Sequence, residues 1–377
     1  MRIKRNEKIL MELDSIAMSR SESDQDNYRM LNMIQNGNPL IQFMNCESFR
    51  EPPFSLCKDD SDRRRMMASI LMMGTARNLE QFSAQSVARN IDLVMNLYKY
   101  MEEMDSSIIE EDVYLKKISL PMMYKDDFVF SFHTYRKDTL FHFGEPVEEK
   151  YRDILRLGYF RENVNYPYIT KNGEYFASIS AHDIGEGKQL VSILSGNVLM
   201  TGLSIGYLAY LAHLKESVEH VTIVEEDQDI IDLFHDEILE QFDDPSKITV
   251  IHSNIDSFMN AWKEEYDCVL ISHYKDSMNG VFEYLNMKKI EKLHKKCKFV
   301  YLIEGSILSN IKSALLMMCM AESSNERNEL YQKLFEDEES SRILKVLQPY
   351  FEDYSIENVK SLQKLFVNSE LKKLFKK

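Results

Sequence analysis

Between Asn197 and Glu304 short β-branched runs alternate with helix-like stretches: VLMT, VTIVEED, ITVIHSN, YDCVLIS and KFVYLIEG, with helical patterns after Gly206, through Ile230-Ile231-Phe234, around Phe258 to Trp262 and near 281 to 296. Strands and helices in this order make strand–helix–strand units, which join parallel strands by right-handed crossovers. The pattern predicts an α/β chain built on a doubly wound, mostly parallel, Rossmann-like sheet of at least five strands.

In an open parallel sheet ligands lie beyond the carboxyl ends of the strands, where the chain reverses direction. The first strand runs there into Gly202-Leu203-Ser204-Ile205-Gly206, which fits G-x-S-x-G as well as a cofactor loop. Both need a buried strand, a tight turn in which glycine tolerates positive φ, and a helix starting at once. A hydrolase with Ser204 as nucleophile needs an acid and then a histidine later in the chain; Asp267 and His294 exist, but their spacing singles out neither. A ligand loop instead presents N–H groups at a helix start, which favour an anionic or electron-rich ligand. It also asks the second strand for an acid roughly 20 residues on, to accept from ribose hydroxyls. VTIVEED supplies Glu225, 23 positions after Gly202; strand alternation turns only one of Glu225 and Glu226 to the ligand edge, and Glu225 is preferred, with a role as acidic helix cap as its alternative. After the third strand, Asn254 stands where an adenosine-binding fold reads the adenine amino group, and Ile255 where it packs on the ring. The fourth strand opens into His273-Tyr274-Lys275-Asp276, where substrate and reacting atom would lie. Asp276 could accept a proton there and Tyr274 could pack on a substrate amine; a solvated loop is the plain alternative.

Taken together, Gly202-x-Ser204-x-Gly206, Val224-Glu225, Ser253-Asn254-Ile255 and the fourth-strand loop resemble the class I S-adenosylmethionine-dependent methyltransferases. Within that fold the Gly-Tyr-x-Ala-Tyr helix start, the VTIVE strand and the preceding hairpins look most like spermidine-synthase-like proteins. The resemblance covers about 120 residues strongly and neither helical end. It implies a cofactor, S-adenosyl-L-methionine, with its methionine part in the turn, its ribose on Glu225 and its adenine on Asn254 and Ile255; Ser272 would line the same edge. His182, Asp183 and Glu186, ahead of the first strand, fall where that pattern helps bind an amine substrate, His182 and Glu186 on one helical face. Three positions depart from the family. Ser204 replaces the usual middle glycine, Asn254 a common aspartate, and Ser272 the aspartate that deprotonates the attacking amine in polyamine synthases. Three functions follow as expectations: a methyltransferase acting on a small or cationic substrate, a methyltransferase-like scaffold without catalysis, and an aminopropyltransferase.

The 377 residues suggest more than one unit, and the texture divides them at 1-118 (helical), 119-190 (β-hairpin-rich, over the cleft), 191-306 (the Rossmann-like core) and 307-377 (helical). Val87, Ile91, Val94, Tyr98 and Met101 make one apolar stripe if helical, suited to core packing or to a homodimer through the N-terminal helices. Phe128 to Tyr135 with Thr139 to Phe143 suggests one hairpin, and Asn172-Gly173 between Tyr166-PYIT and Tyr175-FASIS a second. A net charge of −15 opposes general attraction to nucleic acid and would draw a cationic small molecule; Arg63-Arg64-Arg65 and the lysines from Lys372 to Lys377 read as solvated helix surface. Five cysteines without C-x-x-C spacing suit reduced thiols in the cytoplasm and offer no metal site. No apolar core suited to a secretory signal follows the charged MRIKRNEK, and the run from Val198 to Leu214 is interrupted by Gly202, Ser204 and Gly206, so no membrane contact is expected.

Overall fold

The computed structural model describes residues 1–35, 56–76, 97–125, 127–263, 265–324 and 338–376. Numbering the elements of the central sheet alone, β1 is Gly196–Thr201, α1 Tyr207–His213, β2 Val218–Glu225, α2 Gln228–Leu233 and β3 Ile248–His252. There follow α3 Ile255–Ala261, β4 Cys268–Ile271, α4 Asn279–Leu293, β5 Lys298–Tyr301 and α5 Glu304–Ser323. All five strands are parallel, in the order β3-β2-β1-β4-β5. This is the strand order of a doubly wound sheet, whose direction of winding reverses between β1 and β4. Val198, Leu199, Val221, Val224, Val269, Leu270 and Ile271 are sealed from solvent, so both faces of the sheet must be covered. One core lies against each face, one around Ile205, Tyr210 and Phe234, the other around Val269, Tyr284 and Ile311.

The segment before the sheet is β-rich. Glu174–Ser178, Val164–Lys171, Phe128–Tyr135 and Met123–Tyr124 form an antiparallel four-stranded sheet in that order. The expected turn at Asn172-Gly173 is there, with φ of 54° and 80°, the doubly positive pair that a tight hairpin requires. The other expected hairpin is not. Phe128–Tyr135 pairs over its whole length with Val164–Lys171, whereas Phe141–His142 joins a second sheet with Leu157–Tyr159 and Met101–Glu103. Asp138 causes the split. It is 2 % exposed, its φ is 56°, its N–H donates to the Phe160 carbonyl at 2.8 Å, and its carboxylate meets Arg63 at 3.3 Å, so the chain bends out of the first sheet. Tyr98 and Met101, expected on a helix, sit in a single 3-10 turn and at the start of a strand; Val87, Ile91 and Val94 lie outside the described residues.

Both chain ends pack on the sheet's second core. The helix Glu7–Gln35 buries Ile9, Leu13 and Ile16, then Arg20, Ser23 and Asp26, on one continuous face. Arg20 and Lys312, both sealed, share Asp153 at 3.0 and 2.7 Å, and Lys312 also meets Glu148 at 3.1 Å. Arg2–Ile3 pairs in parallel with Ser355–Ile356, and Gln363 donates to Glu12 at 2.9 Å. The apolar face of the first helix is therefore covered by the chain itself. Cys57, Cys268, Cys297 and Cys319 are free thiols, and Cys46 lies outside the described residues. Among the described residues no helix is long and apolar enough to cross a membrane.

Candidate functional site

The turn after β1 has positive φ at three alternate residues, 83° at Gly202, 51° at Ser204 and 73° at Gly206. Gly206 caps α1 from the left-handed region, and a Cβ there would stand 2.5 Å from Phe234 Cε2. Glycine is therefore required twice over. Gly206→Ala should lose about 2 kcal/mol through strain and overpacking, read as a lowered urea midpoint. Leu203 and Ile205 are buried while Ser204 is exposed, so the turn offers its middle residue to the edge and roots the others below. Asp112, sealed at the N-cap of the short helix Val113–Lys117, accepts from Tyr207 Oη at 3.1 Å and meets Lys188 at 3.2 Å; Tyr114 Oη donates to the Ile205 carbonyl at 2.5 Å. Sequence reasoning missed this clamp, because its partners lie about 90 positions later.

The acid and the histidine that the sequence offered Ser204 as a nucleophile lie away from it. Asp267 precedes β4 and accepts from the Asn197 N–H at 2.8 Å, while His294 follows α4 and stacks on Trp262 at 3.9 Å. Both are at the amino edge of the sheet, opposite the turn.

Glu225 does reach the turn, by a route the sequence did not suggest. Its Oε2 accepts from the Leu203 N–H at 2.8 Å, and its Oε1 from the N–H groups of Glu226 and Asp227 at 2.8 and 3.0 Å. At 8 % exposure this carboxylate ties the first turn to the second. Glu226 is the exposed member of the pair. Its Oε1 accepts from Asn254 Nδ2 at 2.9 Å and from the Ile255 N–H at 2.8 Å, while Asn254 Oδ1 caps α3 through the Ser257 N–H at 3.0 Å. Asn254 is exposed and Ile255 buried. These residues thus come together along the ends of β1, β2 and β3.

At the winding reversal, Thr201 holds the β4 loop. Its hydroxyl meets His273 Nδ1 at 2.7 Å and accepts from the Ser272 N–H at 3.3 Å, and its carbonyl accepts from Ser272 Oγ at 2.7 Å. His273 Nε2 faces Glu283 at 3.6 Å. Tyr274 turns inward, its hydroxyl donating to the carbonyls of Leu302 and of Ile271; burial, then the Glu304, Glu145 and Glu186 carboxylates, push its ionisation well above the usual tyrosine range. Asp276 is spent as a cap, accepting from the N–H groups of Met278 and Asn279 at 2.9 and 2.8 Å and from Asn279 Nδ2 at 2.8 Å. Those hydrogen bonds hold its carboxyl below the usual range, which suits a cap and weakens it as a base.

His182 and Glu186 lie on the helix Ala181–Ser192, whose capping box is built from Ser180 and Asp183. His182 Nδ1 accepts from the Gly144 N–H at 2.8 Å. Glu186 is 7 % exposed and pushed up to about 7, by burial first and then by the Glu145 and Asp183 carboxylates. Glu145, unmarked in the sequence, accepts from the Ser306 N–H at 2.7 Å and from Ser306 Oγ at 3.1 Å. The acid with a proton to exchange near neutrality is therefore Glu186 rather than Asp276. Among the described residues no group of three or more metal-ligating side chains converges.

No family model and no curated protein matches the chain. Among solved structures it is similar to spermidine synthase from Thermotoga maritima, at 12% identity and a TM-score of 0.29 over 47% of this chain and 70% of that one. It is similar also to a spermidine synthase in complex with the transition-state analogue AdoDATO, at 12% identity and a TM-score of 0.29 over 47% of this chain and 69% of that one. At that score the likeness carries no functional weight, and the case rests on the chain's own strand order and edge.

Proposed function

We propose that the protein binds S-adenosyl-L-methionine at the carboxyl edge of its sheet, in a class I methyltransferase type of arrangement, and transfers a methyl group to a small cationic acceptor. The observation that carries this reading is the coincidence of the positive-φ turn Gly202–Gly206 with the winding reversal between β1 and β4. In this reading the exposed Ser204 and the turn receive the methionine part, the edge at Glu225 and Glu226 the ribose, and Asn254 and Ile255 the adenine. A sulfonium is already an activated leaving group, so the chain's task is in-line placement of the acceptor. A protonated amine must first give up a proton, and an acid poised near neutral pH is matched to take it. Glu186 suits that role, with His182 beside it. Aminopropyl transfer would use the same placement, and Ser272 lacks the carboxylate that polyamine synthases carry there.

One observation favours a second reading, that of a methyltransferase-like scaffold without catalysis: both oxygens of Glu225 are already engaged by main-chain N–H groups. Isothermal titration of the protein with S-adenosylmethionine and S-adenosylhomocysteine separates the two. Micromolar binding is the expected result, and it opens a screen of amine acceptors. Absence of binding to either, with no copurified cofactor by mass spectrometry, would establish the scaffold reading.

A further inference from the structure

Met123–Tyr124 covers only the start of the strand Phe128–Tyr135, pairing with Val129 and Phe128. Two hydrogen bonds fix which residues face the edge beyond it. The Asp127 carbonyl accepts from the Asn172 N–H at 2.8 Å, on the side of Val164–Lys171, and the Phe130 N–H donates to the Met122 carbonyl at 3.0 Å, on the other side. Main-chain groups of an antiparallel strand alternate between its two neighbours, and the register with Val164–Lys171 runs unshifted to Tyr135. Phe132 and Thr134 therefore turn their N–H and C=O groups outward, and among the described residues no strand pairs with them there. An open edge is ordinarily guarded by charge, proline or a bulge. FVFSFHTY has no Asp, Glu, Lys, Arg or Pro, and its pairing has no bulge. Its apolar face also runs past the core, from sealed Phe128 through half-buried Phe130 to Phe132 at 72 % exposure, with Met122 nearby at 86 %. We propose that a second copy of the chain docks on this edge, the two Phe128–Tyr135 strands pairing antiparallel about a twofold axis at His133, so that the two four-stranded sheets become one.

The geometry selects that register. Centring on His133 sets Phe132 of each copy against Thr134 of the other as hydrogen-bonded pairs, and each such pair exchanges two N–H···O=C bonds, so every outward group of both copies is satisfied. Centring on Phe132 would set Thr134 against Phe130, whose N–H already serves Met122. Centring on Thr134 would set Phe132 against Arg136, where the strand has ended. In the chosen register the incoming strand ends at Tyr135, opposite Ser131, one position before it would meet Met122. The two Phe132 rings become diagonal neighbours on the apolar face, within reach of each other. Charge fits the same axis. Asp127 precedes the strand and the exposed Arg136 and Lys137 follow it, so an antiparallel copy brings each basic end toward the acidic end of the other. The uncharged run between them is a place where two chains of net charge −15 can meet without like charges opposed.

The inference does not depend on cofactor binding. Sedimentation velocity of the full chain without added ligand, over a concentration series, should show a reversible dimer. Phe132→Pro removes the ring and one outward N–H without touching the ladder to Val164–Lys171, so it should lose the dimer while the urea midpoint is kept. Phe132→Lys and Phe132→Glu should each be monomeric, having lost the ring and set like charges across the axis. A one-to-one mixture of these two variants should recover a dimer, because the register places the two substituted side chains side by side. A wild type of single-chain mass at every concentration overturns the proposal and leaves the edge to a strand of another protein. A dimer that persists in Phe132→Pro and Phe132→Lys, or a mixture that stays monomeric, overturns it as well.

Discussion

Glu225→Ala should destabilise the fold by about 3 kcal/mol, because it strips three main-chain N–H groups of a charged acceptor at a place where water has little access. Glu225→Gln should cost roughly half as much, since it keeps the shape but turns a donor toward a donor. Urea unfolding of both variants provides the check. A loss below about 1 kcal/mol for the alanine variant would mean that solvent already satisfies those groups and that the carboxylate is free for a ligand. The experiment also qualifies any binding assay on this residue. A variant that no longer holds Leu203 against the second turn loses the turn as well as the acid, so reduced cofactor affinity in Glu225→Ala cannot be assigned to the ribose alone; the glutamine variant is the better probe.

Asp153→Ala should have the larger effect, about 3–5 kcal/mol, by leaving Arg20 and Lys312 buried with too little opposing charge. Lys312→Met should be milder, because Asp153 keeps Arg20 and Glu148 keeps the Asn368 N–H at 2.8 Å. Thermal unfolding would rank the two, and limited proteolysis should show the helix Glu7–Gln35 released first in Asp153→Ala. The pH dependence has a definite sign. Burial pulls the Asp153 carboxyl upward, but Lys312 and Arg20 outweigh it and hold the group below its usual range. Its contribution is complete above the ordinary carboxylate range and is lost as pH falls through the depressed native value. The gap between wild type and Asp153→Ala should therefore narrow in acid; a gap that stays constant down to pH 2 would contradict the ion-pair account.

The central sheet was legible because its strands are short β-branched runs, fully buried in β4 and largely so in β1 and β2, and such runs announce themselves without reference to any partner. Asn172-Gly173 was legible for a similar reason, since the turn's backbone demand falls on the two residues that meet it. What the sequence hid were relations between distant positions. Phe128–Tyr135 reads as a strand from its own alternation, but its partner is chosen by the bend at Asp138, which depends on Arg63, 75 positions earlier. Arg20 and Ser23 continue the buried face of the first helix, yet a search for apolar periodicity stops at Ile16, because polar residues enter a core only where a partner such as Asp153 awaits them. The site divides the same way. The Gly202–Gly206 turn is written locally. The capping use of Asp276 is local too, through groups two and three residues on, whereas the fastening of Glu225 to Leu203 is a tertiary fact.

The pairing of Arg2–Ile3 with Ser355–Ile356 has a consequence for how the protein is made. At ordinary rates of synthesis the partner of Glu12, 351 positions downstream, leaves the ribosome on the order of tens of seconds after Glu12 itself. Through that interval the cover over Ile9, Leu13 and Ile16 is incomplete. The nascent chain therefore presents a partly covered amphipathic helix that a holdase could grip, and emergence of the segment around Ser355–Gln363, rather than completion of the sheet, becomes the moment at which this face closes.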